Sequence, residues 1–152
     1  MHSVKLAVAD GDPISLRRCV DELSGKRGIH IVACTADGAE LIEAVRETHP
    51  DVVVTGLTLK HVDGFGVLEA IRMMSGSRPI SLVLSKMNTD CVIDLATKLG
   101  ADDYLVKPIN GGFCTGESAS WPTFGARTRR NPPMPICARS PPRCGTWVFR
   151  PP

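Results

Sequence analysis

The stretch Asp51-Val52-Val53-Val54-Thr55-Gly56 follows Pro50 and runs toward Asp63-Gly64. Its core is a run of β-branched residues with no polar alternation. A continuous apolar strand of this kind belongs to a parallel sheet that helices cover on both faces. Working outward, the same strand–helix alternation recurs on either side. Val4–Ala9 reads as another buried strand. Asp12-Pro13 then supplies an N-cap and a proline at the first helical position. Ile14, Leu16, Cys19, Val20 and Leu23 form the apolar stripe of a first helix, with Gly25 placed to help stop it. Ile29–Ala33 is the next strand, and Leu41, Ile42 and Val45 mark a second helix that ends before Pro50.

Beyond Gly56 the pattern continues. Asp63 caps a third helix carrying Val67, Leu68 and Ile71, and Ile80–Leu84 is a fourth strand. Asn88 is expected to cap a fourth helix carrying Val92, Ile93, Leu95 and Leu99, with Gly100 at its C′ position. Tyr104-Leu105-Val106 closes the series. Five strands alternating with four helices predict an α/β, doubly wound parallel sheet. A complete unit of this kind would finish with a fifth helix, and none is legible, so that helix is expected to be missing or replaced. Both faces of such a sheet must be covered, so its loss is expected to leave apolar side chains open, with low stability and self-association as consequences.

Composition sets the outer limits. The chain has 152 residues, 43% apolar and 22% charged, as an ordinary globular protein does. No apolar run reaches the roughly 18 residues of a membrane span. The N-terminus starts a strand pattern at once and lacks a signal-peptide core, which predicts a cytoplasmic protein. Six cysteines form no CxxC pair. Cys19, Cys34 and Cys91 fall on apolar faces and read as small core residues. His30, His49 and His61 lack ligand spacing and read as surface or turn residues.

The net charge of +2 hides two unlike parts. Residues 1–110 hold 15 acidic against 12 basic side chains. Residues 111–152 hold six arginines against Glu117, with eight of the twelve prolines and no leucine or lysine. Lacking aliphatic residues and periodicity, 111–152 reads as a mostly disordered Pro/Arg-rich tail after a domain of 1–110. Its composition is also what translation out of frame would give.

In doubly wound sheets, functional groups gather past the carboxyl ends of the strands. Here those positions are Asp10-Gly11-Asp12, Gly56, Ser85-Lys86 and Lys107-Pro108. A carboxylate, a hydroxyl and an ammonium on one rim suit a phosphoryl group or a paired cation and anion. Thr55 is no substitute nucleophile, because alternation along the strand turns it away from where Gly56 points.

Val8-Ala9-Asp10, Pro50 to Val54, His61-Val62-Asp63-Gly64 with Val67-Leu68-Glu69, and Leu99 to Pro108 together resemble a response-regulator receiver domain over Val4–Asn110. More narrowly, His61-Val62-Asp63-Gly64 is similar to the receivers of sporulation regulators of the stage 0 sporulation protein A kind. The resemblance implies the strand order 2-1-3-4-5, a role in two-component phosphorelay signalling and transcription regulation, and no enzyme activity. It places the family's paired metal-binding acids on Asp10 and Gly11, with Asp12 adjacent. It places the phosphoacceptor on Gly56, the switch hydroxyl on Ser85 and the phosphate-binding lysine on Lys107. It also implies a cis Lys107-Pro108 bond.

Glycine offers no oxygen to phosphorylate, so the chain reads as a degenerate, C-terminally truncated receiver that works through protein–protein contact with a phosphorelay or other signalling protein. No cofactor is expected beyond weak Mg²⁺ at Asp10, and Asp10 paired with Lys107 is the simpler expectation. Restoring acids at 11 and 56 together is expected to recover Mg²⁺ binding. Two competing readings are a phosphorylation-independent nucleic-acid binder using the arginine tail, and a non-functional frameshifted fragment of a DNA-binding regulator. The tail carries no recognisable binding module, which argues against the first of these.

Overall fold

The computed structural model describes residues 3–107. Five strands, β1 (Val4–Ala9), β2 (Ile29–Thr35), β3 (Val52–Thr55), β4 (Ile80–Ser85) and β5 (Asp103–Val106), alternate with α1 (Pro13–Ser24), α2 (Gly38–Thr48), α3 (Gly64–Met73) and α4 (Asp90–Lys98). The strands form one sheet in the order β2-β1-β3-β4-β5, every pair parallel. The fold is therefore the doubly wound one that the alternation predicts. Among the described residues no helix follows β5, and the expected disordered tail at 111–152 and the Lys107-Pro108 bond lie outside them.

Side-chain alternation sorts the core into layers. Leu6, Val8, Val52, Val54, Leu82, Leu84 and Leu105 share one face with Cys19 and Leu23 of α1. Ala7, Ala9 and Val53 pack on the other face against Leu41 and Val45 of α2 and Val67 and Ile71 of α3. Val83 and Tyr104 continue that face beneath Leu68, Ile93 and Ala96. The apolar side chains expected to lie open are instead buried, Leu82, Leu84 and Leu105 included.

Helix ends follow local chemistry. The Asp12 carboxylate accepts the N–H groups of Ile14 and Ser15, with Pro13 just inside α1. Asp37 and Asp63 cap α2 and α3 in the same way. Gly100 adopts φ 111° just past α4, a left-handed conformation that glycine enters without a Cβ penalty.

Four sequence expectations need correction. Thr89, not Asn88, is the N-cap of α4, and it makes no side-chain capping bond. Ile14 and Leu95 lie exposed, because the buried helical stripes run through Cys19 and Leu23 in α1 and Ile93 and Ala96 in α4. Cys34 and Cys91 are exposed, and of the three described cysteines Cys19 alone is buried. β2 continues to Thr35, two residues past Ala33, because a shift in register opposite Leu6/Ala7 lets it keep pairing with β1. The histidines fit expectation: His30 and His49 are exposed, and His61 sits in the β3–α3 loop paired with Asp37.

Candidate functional site

The rim forms where β1, β3, β4 and β5 end together. Parallel pairing sets Ala9 beside Thr55 and Ser85 beside Val106, so the residues just beyond converge. Asp10 is buried at the mouth of β1. One of its carboxylate oxygens accepts the N–H of Asp12 at 3.0 Å, and the other pairs with the ammonium of Lys107. Lys107 is fixed by its own backbone, whose N–H donates to the Ser85 carbonyl at 2.8 Å. Both oxygens of the buried carboxylate are thus engaged within the chain, as the simpler expectation for Asp10 has it.

Gly56 lies directly against this pair. A Cβ placed on it would stand 3.3 Å from Asp10 Oδ1, close enough to require a small shift of the carboxylate. Thr55 is buried and its hydroxyl donates to the Gly56 carbonyl at 3.0 Å, so it is not presented to the rim. The Ser85 hydroxyl accepts the N–H of Met87 at 3.2 Å, and the Tyr104 hydroxyl donates to the Met87 carbonyl at 2.8 Å. Ser85 is therefore integrated into the β4–α4 loop as well as facing the rim.

Asp12 is committed to its capping role in α1. The N–H groups of Ile14 and Ser15 hold its carboxyl below the usual carboxylate range, and Lys86 lies 3.5 Å from its second oxygen. Each rim carboxylate thus has a lysine partner: Asp10 with Lys107, Asp12 with Lys86. The Lys86–Asp12 contact has no sequence signal beyond the placement of Lys86 after β4.

Divalent cations of the Mg²⁺ class need several hard oxygens at close to octahedral geometry. This rim does not fit such an ion. Gly11 and Gly56 contribute no side-chain oxygen, Asp10 is committed to Lys107 and Asp12 to its helix. Among the described residues no group of three or more His, Cys, Asp or Glu side chains is arranged to hold a metal.

The loop after β3 is held by main-chain contacts that the sequence does not announce. Asp37 and Lys60 form an isolated parallel bridge, Gly38 N–H donates to Lys60 O at 3.0 Å, and Lys60 N–H donates to Ala36 O at 3.1 Å. His61, at φ 57°, pairs with Asp37 across this junction. Burial works to raise the Asp37 pKa, but hydrogen bonds from His61 and from the N–H groups of Ala39 and Glu40 hold it below the ordinary value. A separate hollow of about 420 Å³ lies at the opposite end of the sheet, between Val45, His49, Pro50, Met73, Met74 and Pro79, and has no carboxylate in its lining.

Parallel order 2-1-3-4-5 with an acid, a hydroxyl and a lysine at the carboxyl rim defines a receiver-type signalling fold. The response regulator receiver domain family matches residues 6–112, more than half of the chain, and the chain belongs to that family. It is 38% identical over 106 residues to the transcriptional regulatory protein AfsQ1 of Streptomyces coelicolor, covering 70% of this chain and 45% of that protein. It is 34% identical over 110 residues to the probable transcriptional regulator ycf27 of Porphyridium aerugineum, covering 72% of this chain and 44% of that one. The chain thus spans under half the length of these relatives. Among solved structures, the signal receiver domain of the putative response regulator NarL from Mycobacterium tuberculosis superimposes with a TM-score of 0.67 at 26% identity, covering 72% of this chain and 88% of that one. The two sequence relatives are named as transcriptional regulators, a broader class than sporulation regulators. No described helix is long and apolar enough to cross a membrane.

Proposed function

We propose that residues 1–110 are a phosphorylation-independent receiver domain of a transcription-type response regulator, acting in the cytoplasm through protein–protein contact. The observation that carries this reading is Gly56. It stands at the end of β3 against Asp10, where the family's chemistry calls for a carboxylate nucleophile, and glycine has no atom to accept a phosphoryl group. The pairing of Asp10 with Lys107 supports it, because the lysine that would meet a phosphoryl oxygen is already neutralised inside the domain. Signal input by phosphorylation is then absent, and the surface offered to partners is constant. The narrower assignment, to a sporulation-type phosphorelay, is supported by His61-Val62-Asp63-Gly64 alone.

The test is partner binding with and without a phosphoryl donor. The full chain is titrated with a histidine phosphotransfer protein in the presence and absence of acetyl phosphate. The reading predicts the same affinity in both. A change of more than about tenfold, worth 1.4 kcal/mol, on adding the donor to the receiver would contradict it.

A further inference from the structure

The fit of the rim to a cation fails for a reason deeper than the missing acids. We infer that the main chain itself closes the second acidic position: the Thr58 carbonyl fills the space in which a side chain on residue 11 would begin. A Cβ built on Gly11 would lie 2.0 Å from Thr58 O and 3.0 Å from Thr58 C. The atoms in the way are backbone, so they cannot rotate aside as the end of a flexible side chain would.

The loop also has little slack on either side of Thr58. Gly56 N–H donates to Ala9 O at 2.8 Å, and Gly64 N–H donates to Leu57 O at 2.9 Å. Two residues further on, Lys60 is bridged to Ala36 and Gly38. Gly38 and Gly64 are themselves closely approached: Cβ atoms there would meet Val62 O at 1.8 Å and Gly56 O at 2.2 Å. Gly11, before α1, and the first residues of α2 and α3 therefore let the β3–α3 loop pack closely at the rim. Residue 11 is glycine because the loop needs the volume, and moving Thr58 means disturbing the contacts at Leu57 and Lys60.

Gly56 differs in kind. The one tight approach to its Cβ would be Asp10 Oδ1, at 3.3 Å, which a slight turn of that side chain relieves, while Asp10 Cα at 3.5 Å is in ordinary contact. The sequence-based expectation that both acids can be restored together is thereby revised: position 56 accepts one and position 11 does not. The consequence is a receiver rim whose backbone denies it an acid at residue 11, so that substitution there cannot rebuild a divalent-cation site.

This inference rests on the assignment of Gly56 above, and the experiment separates the two. Gly56→Asp, Gly11→Asp, the double variant and Gly11→Ala are compared with the parent by Mg²⁺ titration calorimetry and thermal melting. The double variant is expected to bind Mg²⁺ within about twofold of Gly56→Asp alone, and Gly11→Asp to melt well below the parent. Gly11→Ala, which adds only the Cβ, is expected to melt lower than the parent, and it provides the readout if Gly11→Asp does not fold. A double variant binding Mg²⁺ about tenfold or more tighter than Gly56→Asp, or a Gly11→Ala protein melting at or above the parent temperature, overturns the inference. Phosphorylation of Gly56→Asp by acetyl phosphate, with none of the parent, would uphold the assignment of Gly56 whatever the Gly11 variants do.

Discussion

Asp10 and Lys107, 97 residues apart in sequence, form a buried ion pair that ties the end of β1 to the end of β5. Their side chains are 6% and 11% exposed, so the pair has been taken out of water. Desolvation of two charges offsets much of their attraction, but removing one partner leaves the other buried and unmatched. Asp10→Ala is therefore expected to cost about 3–5 kcal/mol, and Lys107→Met a similar amount. The double variant Asp10→Ala/Lys107→Met should cost less than the sum of the two single changes. A double-mutant cycle by urea unfolding measures this; additive single losses would show that the two groups do not depend on each other.

A second tie joins β5 to β4. The Asp102 carboxylate accepts the Ser81 N–H at 2.8 Å and Arg78 Nη2 at 2.9 Å, while the Asp102 N–H donates to Ser81 O at 2.8 Å. Asp102→Ala should destabilise the domain by about 1.5–3 kcal/mol, the range for hydrogen bonds to a charged group. Arg78→Ala should cost less, since that side chain is more exposed and its loss leaves the Ser81 bond in place. Thermal melting of the two variants ranks them.

Asp103 predicts a pH dependence of opposite sign to a salt-bridged acid. Burial pushes its pKa above the ordinary 3.8, the Tyr104 N–H opposes this, and the neighbouring charge of Asp102 adds to it. The folded chain therefore holds this proton more tightly than the unfolded chain does. The contribution is fully present below the ordinary value and is lost as pH rises through the raised one. Asp103→Asn, which keeps the oxygen that accepts Tyr104 N–H, should melt higher than the parent at pH 7 and no higher at acid pH. Melting curves across that interval check the sign.

Much of the fold is legible from residues such as Val52–Thr55 and Asp12-Pro13, because burial on both faces and helix capping leave direct marks on composition. The rim follows from topology, since strand ends of a parallel sheet must converge; Asp10, Gly56, Ser85 and Lys107 are found there. Thr58 and Lys60 are not legible in this way. Their role depends on the path of the main chain, and the only trace in the sequence is glycine at 11, 38 and 64, which composition cannot distinguish from turn glycines. Cys34 and Cys91 are not legible as exposed, because β2 changes register before Cys34 and the buried stripe of α4 runs through Ile93 and Ala96 rather than Cys91.

The exposure of these thiols gives a chemical check. Burial, with the nearby Asp10 charge, pushes Cys19 up to about 12, so its thiolate is scarce as well as shielded. Alkylation of the folded protein followed by peptide mapping should label Cys34 and Cys91 first and Cys19 only on unfolding. Labelling of Cys19 at the rate of Cys91 would show that the α1 face opens readily.

The proposal that this rim has no phosphoryl acceptor is read out by the intact mass of the protein after incubation with acetyl phosphate or phosphoramidate and Mg²⁺. No acid-labile mass increase of one phosphoryl group is expected on the parent chain under conditions that modify Gly56→Asp. An acyl phosphate on the parent, mapped to Asp10, Asp12 or any other carboxylate of the rim, would contradict it.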